Sequence, residues 1–273
     1  MFVLDVTQLL RGYILVAPFC FRYCLAQLNT LTDLYACHPE TKTDFVVVLT
    51  TWNAQVLCAG TLINSKWVLT SADCGQMQIV MAGMSTNEIP KLPMPIDPQT
   101  IKAIEEMFEK NEKWSLIDRF VLHKRCDPIN GRNNIGLAKL ERPISEGPDV
   151  SYVKLPKYRW KKDFHKQCPK VTAVGFGIFT KLVCFETDML PSSECSTLAA
   201  SIRDKESILC TKDKFMIGPG LGAALMCNGV QYGVHISDEV YVKVDSYLRF
   251  ILKKSTGTGT TFTTTLTFVL IIL

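Results

Sequence analysis

The sequence predicts an all-β protein, a sandwich or barrel of short strands. Three observations point there: apolar and β-branched runs only a few residues long, turn residues around them, and a helical period in just two stretches. The runs are Phe45-Val46-Val47-Val48-Leu49, Lys66-Trp67-Val68-Leu69-Thr70, Met77–Met81 and Val230–Ile236, bounded by Asn, Gly, Pro or Ser. The first helix is expected from Asp97-Pro98 to about Trp114. Asp97 is placed to cap it, and Pro98 takes the first helical position, where a missing N–H costs no hydrogen bond. Its apolar stripe is Ile101, Ile104, Met107 and Phe108, opposite Glu105, Glu109 and Lys110. Such a stripe packs on a core or docks a partner. The second helix lies near the C-terminus, where Val244, Tyr247, Leu248 and Ile251 share one face.

The 273 residues suit one large or two small domains. Hydrophobic residues at 47% and charged ones at 21% exclude a disordered or collagen-like chain. Thirty Lys and Arg against 26 Asp and Glu leave +4, too mild a balance for a nucleic-acid binder without a clustered patch. The 11 cysteines show no metal-ligand spacing and are many for a cytosolic enzyme, so a secreted disulfide protein is expected. Residues 1–26 carry a leader-like apolar stretch after Arg11 and small residues at Cys24-Leu25-Ala26, which places signal-peptide cleavage after Ala26. Asp5 neutralises its positive end, and a buried N-terminal strand is the competing reading. In residues 255–273, Ser255-Thr256-Gly257 leads through a Thr-rich spacer to the Leu266–Leu273 run. That order is the order of a GPI-anchor signal, and an unprocessed tail is the alternative.

One stretch carries a specific resemblance. Cys58-Ala59-Gly60-Thr61-Leu62-Ile63-Asn64-Ser65-Lys66-Trp67-Val68-Leu69-Thr70-Ser71-Ala72-Asp73-Cys74 resembles the C-G-G-T-L-I-x-x-x-W-V-L-T-A-A-H-C of the trypsin/chymotrypsin-like serine peptidases, with Asp73 in place of histidine. Asn133-Asn134-Ile135-Gly136-Leu137-Ala138-Lys139-Leu140 resembles the family's N-D-I-A-L-L-K-L. Cys168 to Gly177 resembles C-x-V-x-G-W-G, Gly220 to Cys227 resembles D-S-G-G-P-L-V-C, and Val240-Tyr241-Val242-Lys243-Val244 resembles V-Y-T-K-V. The resemblance spans about 31–254. It implies two packed six-stranded antiparallel β-barrels, a short C-terminal helix and, for this chain, an inserted helix near 98–114. It also implies four disulfides: Cys58 with Cys74, Cys168 with Cys227, Cys195 with Cys210, and Cys37 with Cys184. Cys126 is left without a family partner.

Peptide hydrolysis in this family uses a serine nucleophile, a histidine base, an orienting aspartate and backbone donors for the oxyanion. Carried over by position, the histidine becomes Asp73, the aspartate Asn134 and the serine Leu221. The oxyanion-hole glycine becomes Pro219, which has no N–H. Gly220 replaces the aspartate that pairs with the freed N-terminus, and Thr30 before Leu31-Thr32-Asp33-Leu34 replaces the activation cleavage site. Phe215 falls at the base of the specificity pocket, and Gly233 to Val240 is shorter than the family's pocket wall. None of His38, His123, His165 and His235 stands in a motif of its own. Cys126 with nearby His123 is a conceivable nucleophile, although a leftover thiol more often pairs or stays inert.

The resemblance therefore implies a serine protease homologue without a triad, a secreted binding or regulatory protein. The alternative is a peptidase with residual or relocated residues. No cofactor or metal is expected; 83–117 replaces the family's calcium loop, so the resemblance implies no calcium there. The candidate partner surface is the basic stretch 154–170, with Lys154, Lys157, Arg159, Lys161, Lys162, Lys166 and Lys170 against Asp163 and interleaved with Tyr158, Trp160 and Phe164. A protein partner, an acidic glycan or another anionic surface would suit it, and a merely solvated loop is the other reading.

Overall fold

A computed structural model describes residues 35–53, 55–84, 98–127, 130–160, 164–176, 181–200, 202, 205–213 and 220–256. The expected leader, most of the C-terminal tail, Asp97, Lys161, Lys162, Phe215 and Pro219 lie outside the described residues. Two antiparallel six-stranded sheets form the molecule. The first contains β1 (Val46–Thr50), β2 (Val56–Asn64), β3 (Trp67–Thr70), β4 (Met81–Gly83), β5 (Trp114–Leu122) and β6 (Gly136–Leu140). It closes as a barrel in the order β1-β2-β3-β6-β5-β4. The second contains β7 (Lys170–Phe176), β8 (Leu182–Asp188), β9 (Ile208–Cys210), β10 (Ala224–Cys227), β11 (Val230–Ser237) and β12 (Val240–Lys243). Its order is β8-β7-β10-β11-β12-β9, and the outer strands meet through the single bridge Met189↔Thr211 rather than a full ladder.

Strand alternation explains how the sheets share one core. In β1, Val47 and Leu49 point into the first barrel with Leu62, Val68 and Ala138, while Val46 and Val48 point outward toward the second sheet. In β7, Val171 and Ala173 fill the inside of the second sheet, while Val174 and Phe176 meet Val46 and Val48 in the same outward cluster. Both faces of β1 are therefore buried, which is why its sequence is an unbroken apolar run instead of an alternating one. A further cluster joins Trp67, Leu69 and Leu137 of the barrel to Val234, Val242 and Ile251.

Helix α1 (Pro98–Glu109) sets Ile104 and Phe108, each 4% exposed, against Trp114 and Met81. Ile104 and Phe108 of the predicted stripe, with Met107 partly buried beside them, thus face the core. The helix ends before Trp114 because Asn111 turns the chain: its carbonyl accepts the Trp114 N–H at 3.2 Å, and its side-chain oxygen accepts the Lys113 N–H at 3.2 Å. Trp114 is then free to open β5 opposite Gly83. The expected strand at Met77–Met81 also starts late, at Met81. The 3-10 turn Asp73–Gln76 delays it, and Val80 only touches the ladder, donating to Thr50 and accepting from Ile117, both at 2.9 Å. Helix α2 (Ser192–Leu198) and helix α3 (Leu248–Ser255), the latter preceded by a 3-10 turn at Val244–Tyr247, complete the fold. Val244, Tyr247 and Ile251 are buried as the periodicity predicts.

Among the described residues four disulfides are formed, Cys37–Cys184, Cys58–Cys74, Cys168–Cys227 and Cys195–Cys210. The first holds the 35–37 segment along the outer edge of β8, where Ala36 bridges Val183 and the Tyr35 ring sits 4.5 Å from Phe185. Covering that edge removes a row of unpaired backbone groups.

Candidate functional site

The three residues expected at the triad positions, Asp73, Asn134 and Leu221, come from both halves of the molecule. Asp73 opens the 3-10 turn that follows β3, and the Cys58–Cys74 bridge pins that turn to β2. Asn134, 3% exposed, directly precedes Ile135 and β6. Sixty-one positions apart, the two residues form a reciprocal pair: the Asp73 N–H donates to Asn134 Oδ1 at 3.0 Å, and Asn134 Nδ2 donates to Asp73 Oδ2 at 2.6 Å. An amide can act as acceptor and donor at once, which an aspartate in the same place cannot do.

Leu221 belongs to the second half, on the turn before β10. Its carbonyl accepts the Ala59 N–H of β2 at 2.7 Å, so the turn is stitched to the first barrel beside Cys58. Its side chain is half-buried against that barrel's apolar cluster. Gly220 (φ +76°) and Gly222 (φ +79°) flank it in the left-handed region, which glycine enters without strain. At Gly220 a side chain also lacks room, since a Cβ would lie 2.7 Å from the Phe176 carbonyl oxygen. The described site thus presents a carboxylate held by an amide on one side and an aliphatic side chain on the other.

His235, 6% exposed on β11, holds this turn from behind, a role that nothing in its local sequence signals. Its backbone carbonyl accepts the Gly222 N–H at 2.9 Å. Its Nδ1 and Nε2 each lie 2.8 Å from a carbonyl oxygen, those of Gly220 and Asp238. Burial lowers the His235 pKa from its ordinary value, opposed by the Asp238 and Gly220 carbonyls and then by the charges of Asp238 and Glu239. Because the unfolded chain binds the proton more readily, the His235 contribution to stability is fully present above pH ~6.5 and is lost as pH falls below it. Urea titrations at pH 7.5 and 5.5 check this: the wild type should lose more stability on acidification than His235→Gln, and equal losses would contradict it.

The other histidines do not reach this turn. His38 is exposed and accepts the Glu40 N–H at 3.4 Å, His165 sits in the 3-10 turn Phe164–Lys166, and His123 lies edge-on to Tyr247 and Phe250. The Cys126 thiol is pushed up by burial and then by the charges of Asp73 and Asp127, the opposite of a nucleophilic cysteine's surroundings. Among the described residues no group of His, Cys, Asp and Glu has the arrangement of a metal site.

The basic stretch divides into two kinds of residue. Trp160 and Phe164 are structural: the Trp160 N–H donates to Asp245 at 2.7 Å, and Phe164, 4% exposed, packs 4.6 Å from the Tyr232 ring. Lys157, Tyr158, Arg159 and Lys166 are exposed. Lys170 pairs with Asp188 at 2.6 Å, and Arg159 reaches Glu206 at 3.7 Å.

The chain is similar to known proteins in sequence and in fold. The Trypsin family model matches residues 36–251. The chain is 24% identical over 230 residues to snake venom serine proteinase 11 of Crotalus adamanteus, covering 74% of this chain and 79% of that one. It is 26% identical over 240 residues to a snake venom serine protease homolog of Bothrops jararacussu, covering 76% and 80%, and 25% identical over 211 residues to Vaa serine proteinase homolog 1 of Vipera ammodytes ammodytes, covering 70% of each. A solved structure of kallikrein-related peptidase 10 in complex with Zn2+ superposes with a TM-score of 0.59 at 21% identity, covering 79% of this chain and 97% of that one. With a matching family model over most of its length, the chain belongs to the trypsin-like serine peptidase family.

Proposed function

We propose that this protein is an extracellular, non-catalytic member of its family that acts by binding. The observation that carries the reading is the Asp73–Asn134 pair. The residue at the base position is a carboxylate, and its partner is an amide that donates to it rather than an acid that orients a histidine. Leu221, at the nucleophile position, has no atom that can attack a carbonyl. Gly220 offers neither a carboxylate for a freed N-terminus nor room for one. Pro219, at the oxyanion position, has no N–H to donate. That two relatives are themselves named protease homologs supports the same reading. Four disulfides fit an oxidising compartment, which supports the extracellular assignment.

The test is direct. Purified protein treated with a serine-directed fluorophosphonate probe and with a mixed peptide library should show no label and no cleavage above buffer, in parallel with an active trypsin control. Labelling at any residue, or turnover that survives repurification, would overturn the reading.

A further inference from the structure

A cleft of about 680 Å³ lies on the first barrel, between the end of α1 with its connector to β5 and the loop that follows β6, residues 141–150. Its base is apolar, formed by the buried Phe108, Trp114 and Val150. The loop wall is fixed before any ligand arrives. Ile144, 1% exposed, packs into the barrel core and donates its N–H to the Ser65 carbonyl at 2.8 Å. Its own carbonyl accepts the Tyr152 hydroxyl at 3.2 Å, and the Arg142 N–H donates to Ser115 Oγ at 3.0 Å. Pro143 and Pro148 restrict the loop backbone further. Two ion pairs then tie wall to wall, Arg142 with Glu109 at 3.2 Å and Lys113 with Asp149 at 2.9 Å.

The charges in the lining do not cancel. Four carboxylates, Glu109, Glu112, Glu146 and Asp149, face two cations, and both cations are committed to Glu109 and Asp149. Glu112 on one wall and Glu146 on the other are exposed and have no cationic partner among the described residues. We propose that this cleft docks an extended basic segment of a partner protein, with an arginine or lysine side chain reaching Glu112 and Glu146. Concave, low-dielectric walls of one net sign focus their field, so a cation gains more here than on an open surface. The long stems of arginine and lysine suit the proline rim and apolar base, while their charged heads meet the carboxylates. A wall already held in place costs little to order on binding. A metal ion is the poorer occupant, because among the described residues no three carboxylates are arranged to hold one. The chain as a whole carries +4, so the cleft is a local reversal of sign that orients an approaching basic partner. The proposal deepens the binding role given above by naming a partner chemistry. It is read separately, because peptide retention can be measured whether or not the protein cleaves peptides.

Four probes test it against the full chain at about 0.15 M salt. They are a short peptide of alternating leucine and arginine, its leucine–glutamate and leucine–serine counterparts, and spermine, which carries positive charge without a peptide backbone. The arginine peptide should bind, with affinity falling severalfold as salt is raised, and the other three should bind at least about tenfold more weakly. Glu112→Lys/Glu146→Lys should lose about tenfold or more of that affinity. Glu40→Lys/Glu194→Lys makes the same change of charge at exposed positions outside the cleft and should stay within about twofold. Lys113→Ala should bind about threefold more tightly, because it frees Asp149 for the ligand, an outcome that mere disruption of the wall would not produce. All the replaced side chains are exposed, and unchanged thermal melting checks that the variants fold. Amide exchange supplies a readout independent of affinity: the bound arginine peptide should slow exchange in residues 109–114 and 141–150. Equal binding of the serine peptide or spermine, preference for the glutamate peptide, full retention by Glu112→Lys/Glu146→Lys, an equal loss in the charge control, or protection confined to other segments would each overturn the proposal. So would a dimer of the chain in sedimentation that dissociates in Glu112→Lys/Glu146→Lys, which would make a second copy the occupant.

Discussion

Replacing Gly222 by alanine should cost on the order of 3–5 kcal/mol, a large part of the stability of a domain this size. Two penalties add. At φ +79° a Cβ strains the backbone, and at this position the added methyl would overlap the Ala59 carbonyl oxygen and the Thr70 hydroxyl. Neither neighbour can retreat, because Thr70 Oγ1 donates to that same carbonyl at 2.8 Å and the Ala59 N–H donates to Leu221. Gly229 separates the two penalties. It has φ +72°, and a methyl added there would meet nothing within 4 Å, so Gly229→Ala should show only the backbone cost, ~1 kcal/mol. Urea unfolding of both variants decides the matter, and equal losses would show that the close approach of the two halves at Gly222 contributes nothing.

Trp114→Ala should cost ~3–5 kcal/mol. The indole is 2% exposed and lies over Gly83, opposite it in the β4–β5 ladder, where a side chain at residue 83 would collide with the ring. Ile104, Phe108 and Met81 pack in the same cluster, so the cavity would open under α1 and unseat the helix along with it. A lowered urea midpoint with faster amide exchange across Pro98–Glu109 is the expected result. A loss below about 1 kcal/mol would mean that the cluster closes over the gap.

Much of the fold was legible in local patterns. The Phe45–Leu49 and Val230–Ile236 runs became β1 and β11 within a residue or two, and the face of Val244, Tyr247 and Ile251 is buried as its spacing predicts. The misplaced boundaries share a cause. Helical period in residues 98–114 continues past Glu109, but Trp114 is claimed by β5, and strand-like residues at 77–80 are displaced by the turn at Asp73–Gln76. In both places a distant partner overrides local preference. The cysteine pairing was legible only through the family resemblance, since eight cysteines admit many connectivities.

Residue type, local period and motif order were enough for the β class and the family, and for the expectation of which residues stand at the triad positions. They could not show that Asp73 and Asn134 would clasp each other, or that His235 would hold the Gly220 and Gly222 turn from behind. Those relations join residues far apart in the chain. Only the closing of the first barrel, and the folding of the second sheet against it, brings them within reach of a hydrogen bond.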